Sequence, residues 1–185
     1  GDYLKTLQKS DASVYYFASS DKERVTKSID KEEICAIGNH TIVTREQVQM
    51  YTKFYEITYD KTLSEKKAIA YAKERNALYV AAMQNGYQVT DGQVKAYVEE
   101  LKQNLDGIWT KEQKEKLLSG FASEDDYWAF EQKVYRIDLP IQNYVRDKEN
   151  EFNRKNESGQ TWDEAFKTLK QNLVDEQQYK DSSSY

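Results

Sequence analysis

Ile34-Cys35-Ala36-Ile37-Gly38-Asn39-His40-Thr41-Ile42-Val43-Thr44-Arg45-Glu46-Gln47-Val48 is the stretch on which the fold turns. Two short β-prone runs, Ile34 to Ile37 and Thr41 to Val43, flank the turn signal Gly38-Asn39-His40, which predicts a small hairpin. Thr44 then opens a helix, because its hydroxyl can accept a free first-turn amide while Gln47 reaches back to the cap. No strand pattern alternates with the helical spacing that follows. One strand pair therefore introduces a run of helices.

The same start signal recurs at Thr90 with Gln93, Thr110 with Gln113 and Thr161 with Glu164. Ser123 before Glu124-Asp125-Asp126 is a further start, its acidic residues favoured at the positive end of the helix dipole. Another is expected at Thr62 or Ser64. Behind these starts the apolar residues keep helical spacing: Val48, Tyr51, Tyr55 and Tyr59, then Ile69, Ala72, Tyr79 and Met83. Asn85-Gly86 closes the second of these helices, since glycine adopts the left-handed conformation that ends one. Val94, Tyr97, Val98, Leu101 and Leu105 stripe the next helix, and Leu117-Leu118 belongs to a short one. A long helix carries Tyr127, Phe130, Val134, Ile137, Ile141, Tyr144 and Val145. Pro140 lies within it, so a kink near Asp138-Leu139 or a split is expected. Trp162, Ala165, Phe166, Leu169 and Leu173 form the face of a last helix. The fold class is mainly α, a multi-helix lobe with a small β-hairpin near the N-terminus.

Organisation follows from composition along the chain. Residues 1–33 are polar apart from Val14-Tyr15-Tyr16-Phe17, which fits a short strand or the start of a helix, and read as an N-terminal extension and linker. Residues 34–145 form the helical domain, 146–160 a charged stretch that fits a fraying helix end or, as the boundary is drawn here, a linker, 161–179 a C-terminal helix packing back on the domain, and 180–185 a polar tail. Gly1 reads as an expression scar, with a signal or anchor removed ahead of Asp2.

Charge and residue usage close several function classes. The 27 Lys and Arg against 32 Asp and Glu give a net charge of -5, the reverse of a phosphate-binding footprint, so nucleic acid is not an expected partner. The mean hydropathy is -0.94, yet 15 Tyr, 6 Phe and 3 Trp supply aromatic surface that a disordered chain lacks. Cys35 is the single cysteine and His40 the single histidine, which excludes an internal disulfide, a histidine pair and a Cys-x-x-Cys centre. A Cys35/His40 nucleophilic pair is rejected, because a strand cysteine is ordinarily a small buried hydrophobe and a turn histidine is solvated. Glu99-Glu100 and Asp125-Asp126 are the visible carboxylate pairs; one lies on the polar side of an amphipathic helix and the other in a helix first turn. The glycines never cluster into a phosphate cradle. No catalytic residue, metal or cofactor is expected. What remains is an aromatic excess on amphipathic helices, and Tyr51, Phe54, Tyr55, Tyr59, Tyr127 and Trp128 are the candidate polypeptide-binding residues, with core packing as the competing role for each.

The opening stretch from Ile34 to Val48 resembles the start of the SurA/PrsA/trigger-factor-like chaperone module: a strand, an Asn-Gly-type turn, an Ile-Thr-like step, then a helix. Met83-Gln-Asn-Gly-Tyr-Gln-Val-Thr-Asp-Gly-Gln-Val94 resembles that family's join between its long helix and the next one. Gly120-Phe-Ala-Ser-Glu-Asp-Asp-Tyr127 resembles the start of the long helix in the same family. The resemblance covers Ile34 to Val145 and the last helix. It implies an extracytoplasmic chaperone-type lobe, anchored at a trimmed N-terminus in a Gram-positive envelope, that holds unfolded or extended polypeptides without ATP. It also implies that the parvulin isomerase often inserted in this family is missing, since residues 146–160 are too few for it and one histidine cannot furnish its site. Homodimerisation, or scaffolding of one envelope partner by the same apolar faces, is the alternative, and carboxylate catalysis a more distant one.

Overall fold

The structure, a computed structural model, describes residues 8–9, 14–155 and 159–182. Among them are five short strands: β1 (Gln8–Lys9), β2 (Tyr15–Tyr16), β3 (Ile34–Ile37), β4 (Ile42–Thr44) and β5 (Lys180–Asp181). The helices are α1 (Lys22–Lys27), α2 (Arg45–Tyr59), α3 (Glu65–Gln84), α4 (Asp91–Asp106), α5 (Lys111–Leu118), α6 (Glu124–Lys155) and α7 (Trp162–Gln177). The chain is mainly helical with a small antiparallel strand pair near the N-terminus.

β3 and β4 form the hairpin, and a bulge between Ile34 and Ala36 decides how it is used. Without the bulge, alternation would put Ile34 and Ala36 on one face. The extra residue shifts the parity, so Ile34, Ile37 and Ile42 face one apolar cluster while Cys35, Ala36 and Val43 face the main core. A sheet covered on both faces needs two layers over it. The helices supply one; Tyr15, Phe17 and Val25 supply the other. From Val14 onward, then, the segment read as an extension and linker is built into the fold. The open choice at Val14-Tyr15-Tyr16-Phe17 resolves as strand β2, paired with β1.

α3 is the central helix. Every residue from Asn76 to Met83 is buried, because α2, α6, α7 and β4 pack around it. Ala68, Ala72, Ala77, Ala81 and Ala82 keep its surface small enough for such close neighbours. The caps form as the sequence predicts at Thr90/Gln93 and Thr110/Gln113, both complete boxes, and Ser64 rather than Thr62 opens α3. Thr161 accepts from the Glu164 amide and Ser123 from the Asp126 amide. Each such cap contributes about 1 kcal/mol.

Three expectations are corrected. α6 runs unbroken for 32 residues through Pro140, with no split. Residues 137–141 are all buried between α3 on one side and the α4 layer on the other, and that two-sided packing keeps the helix from splitting where the ring removes one amide. Second, residues 146–155 continue α6 rather than forming a linker, while 156–158 lie outside the described residues. Third, Lys180–Asp181 are not tail but β5, paired antiparallel with Ile37 and Ala36 of β3; 183–185 lie outside the described residues. Tyr179 donates its hydroxyl to the Lys73 carbonyl at 2.7 Å, and Lys73 pairs with Asp181 at 2.6 Å, so the C-terminus is fastened to α3 as well.

α6 joins two cores. Val134, Ile137, Ile141 and Tyr144 enter the main core with α2, α3 and α7, whereas Tyr127, Trp128 and Leu139 enter a second one with Val94 and Val98 of α4. The second core, with α5 over it, forms an arm beside α2.

Candidate groove and tyrosine strip

α2 stands between the main core and the arm, and its two sides differ. Along one side Val48, Thr52, Glu56, Ile57 and Asp60 border an open groove in two adjoining parts. The part near the hairpin, about 620 Å³, has Cys35, Val48 and Leu63 for its apolar lining and Arg45, Lys53 and Glu65 at its rim. The part under the arm, about 440 Å³, has Ile57, Trp109 and Leu117 in its lining and Asp60 and Lys116 at its rim. Glu56 and Gly120 belong to both, so the parts meet in the turn between α5 and α6. Lys53 Nζ lies 4.0 Å from the centre of the Phe121 ring there, a cation–π contact joining α2 to that turn. A Cβ placed on Gly120 would meet nothing within 4 Å, which marks open space at the junction.

The other side carries tyrosines at four-residue steps. Tyr51 is fully buried in the main core and meets Tyr71 edge to face at 5.1 Å. Tyr55 is half-buried between Tyr59 at 4.7 Å and Tyr71 at 6.0 Å, and Tyr59 is 55% exposed. Phe54 is half-buried against the main core. Tyr127 and Trp128 are buried in the arm beside Trp109, with ring centres 6.3 and 6.2 Å from it. Of the six residues selected from sequence, Tyr55 and Tyr59 are thus brought together at the surface, whereas Tyr51, Tyr127 and Trp128 are core. The correction has a simple cause: a stripe with helical period turns its members alternately under a neighbouring helix and out past its end, and spacing does not say which. Ile57, Leu63, Trp109 and Leu117 escaped selection as groove lining. The step Val48, Thr52, Glu56, Asp60, one turn apart and running beside the tyrosine stripe, was the signal for a second bordered face.

Polar groups gather beneath the tyrosine strip. Arg75 of α3 pairs with Asp138 of α6 at 2.5 Å, both largely buried. Two turns before Asp138, Glu131 is 4% exposed; its Oε1 accepts the Tyr127 hydroxyl at 2.7 Å, and its Oε2 has no hydrogen-bond partner. Burial holds the Glu131 carboxyl above the ordinary carboxylate range, the Tyr127 hydrogen bond works against this, and the charge of Asp138 adds to it. Burial likewise pushes the Tyr71 hydroxyl up to about 12. Among the described residues no group of three or more His, Cys, Asp or Glu is placed to hold a metal ion, and no helix is long and apolar enough to cross a membrane.

No family model, curated protein or solved structure matches this chain.

Proposed function

We propose that this chain is an ATP-independent, chaperone-like binder of unfolded or extended polypeptides, of the SurA-like kind and without prolyl isomerase activity, working outside the cytoplasm. The observation that carries the reading is the groove beside α2: two adjoining parts of about 440 and about 620 Å³, apolar in their lining and charged at the rim, open along their length. An enclosed pocket selects one small molecule, whereas an open trough with rim charges of both signs accepts an extended chain of varied sequence. Burial of client side chains against Val48, Ile57, Leu63, Trp109 and Leu117 would gain about 25 cal/mol per Å² of apolar area. The net charge of -5 would keep the loaded complex soluble.

Suppression of light scattering from an unrelated aggregating protein tests the reading, with an equally acidic helical protein as control and Gly120→Trp as the blocked variant. The open space at Gly120 lets an indole enter the groove without displacing the core. The expected result is suppression by the natural chain, loss of it in Gly120→Trp, and the same melting temperature for both. No suppression at near-stoichiometric amounts, with a dimer in sedimentation, would replace this reading with a dimerisation or scaffold role.

A further inference from the structure

We infer that the groove beside α2 prefers an extended segment with an acidic side chain at its centre and apolar side chains two residues to either side. The inference rests on the polypeptide-binding reading and names the class of segment held. Its starting point is the charge at the groove's rim. Arg45 pairs with Glu65 at 3.7 Å and Lys116 with Asp60 at 3.4 Å, and all four side chains are exposed. Lys53 is half-buried, and among the described residues it has no carboxylate within ion-pair distance. Its ammonium instead rests on aromatic faces, 4.0 Å from the centre of the Phe121 ring and 5.7 Å from that of Phe130. Phenyl rings hold an ammonium in place, yet they offer no oxygen to its three N–H donors. A positive charge so fixed, and partly withdrawn from water, is complementary to a carboxylate that arrives with the client. Glu56, the remaining acid of the rim, is exposed, so water and salt screen its repulsion of that carboxylate.

Position along the helix fixes the pattern. Val48 lines the part of the groove near the hairpin, Ile57 lines the part under the arm, and Lys53 lies between them on α2. At about 1.5 Å of rise per residue, Lys53 stands about 7 Å along the axis from Val48 and about 6 Å from Ile57. An extended chain advances about 3.3 Å per residue and turns alternate side chains to the same side. Two residues of client therefore cover each interval. With its acid at Lys53, the client turns the side chains two places before and two places after it toward the two apolar parts. The groove continues past Lys53 in both directions, so the anion is an internal aspartate or glutamate rather than a chain terminus.

The test uses labelled nonapeptides with blocked ends, leucine at the third and seventh positions, and binding read by fluorescence anisotropy. One carries aspartate at the fifth position, one asparagine there, and one has the aspartate moved to the fourth; every other residue is uncharged. The natural chain is expected to bind the first about tenfold more tightly than either of the others. Lys53→Met removes the charge while its thioether keeps the contact with the two rings, and it is expected to bind all three as the natural chain binds the asparagine peptide. Lys53→Arg retains the charge and is expected to retain the preference. Equal binding of the aspartate and asparagine peptides by the natural chain overturns this inference and leaves the proposed function standing. An aspartate preference that survives in Lys53→Met overturns the assignment to Lys53, and tight binding of the displaced aspartate overturns the spacing. Binding of none of the peptides overturns both readings.

Discussion

Gln47 and Asn76 hold each other by a reciprocal pair of amide hydrogen bonds where the hairpin, α2 and α3 meet. Asn76 Nδ2 donates to Gln47 Oε1 at 2.9 Å, and Gln47 Nε2 donates back to Asn76 Oδ1. Asn76 Nδ2 also reaches the Thr41 hydroxyl and the Ile42 carbonyl, each at 3.3 Å, and Gln47, Asn76 and Thr41 are all fully buried. The pair has taken Gln47 away from the cap. Thr44 still accepts the Gln47 amide at 3.2 Å, but the Gln47 side chain is engaged with Asn76. Asn76→Ala leaves a buried amide unsatisfied and is expected to cost about 1–3 kcal/mol. Urea unfolding measures it, and Gln47→Leu with Asn76→Leu should cost less than the two single changes added, because neither amide is then stranded.

Gly38 predicts a second weak point. Its backbone does not adopt positive φ, so the glycine is required by closeness rather than by conformation. A Cβ there would stand 2.7 Å from Gln177 Oε1 and 2.9 Å from Tyr179 Cε1. Gln177 Oε1 also accepts the His40 amide at 2.9 Å, and its carbonyl accepts the Asn39 amide at 2.8 Å, so the contact lies where the hairpin tip docks on the end of α7. Gly38→Ala is expected to lower stability by about 1–3 kcal/mol. Hydrogen exchange should show the last turn of α7 and β5 opening ahead of α4, since those are the parts the methyl group displaces.

These two sites show what local sequence carries and what it does not. Caps at Thr90 and Thr110 are legible because both partners lie within one turn, and the hairpin is legible because its two runs are adjacent. β5 was hidden: Lys180–Asp181 is polar, and only the edge of β3, some 140 residues away in the chain, makes it a strand. Pro140 does not reveal locally whether its helix splits, since the packing that keeps α6 continuous comes from other helices. The candidate site was half legible. Tyr51, Tyr55 and Tyr59 share one stripe, yet burial runs from complete at Tyr51 to 55% exposure at Tyr59 because the main core covers the start of α2 and not its end.

Glu131 makes stability depend on pH in a defined direction. Burial raises its folded-state pKa above the ordinary value of 4.5, so the folded chain retains a proton that the unfolded chain releases. The contribution from this group is therefore fully present below about pH 4.5 and is lost as pH rises through the raised value. Glu131→Gln cannot release a proton there. The difference in unfolding free energy between the natural chain and this variant should move in favour of the variant as pH increases from about 4.5 to about 8, with urea melts at each pH as the measurement. A difference that stays constant across that interval would show that Glu131 keeps an ordinary titration.

Cys35 gives the groove its own chemical reporter. It is the chain's single cysteine, it lines the end of the groove near the hairpin, and it is buried. Burial pushes its thiol up, while the Arg45 guanidinium pulls the other way by favouring the thiolate. Reaction with a disulfide reagent should accordingly be at least about tenfold slower in the folded chain than in urea at the same pH, because both thiolate fraction and access are reduced. Arg45→Ala removes the opposing charge, so the rate inflection should move to higher pH. A client peptide in the groove should slow the reaction further in the natural chain and leave it unchanged in Gly120→Trp, where the indole denies the peptide its seat. Protection that survives in Gly120→Trp would place the peptide elsewhere, and the tyrosine side of α2 would then be the surface to probe.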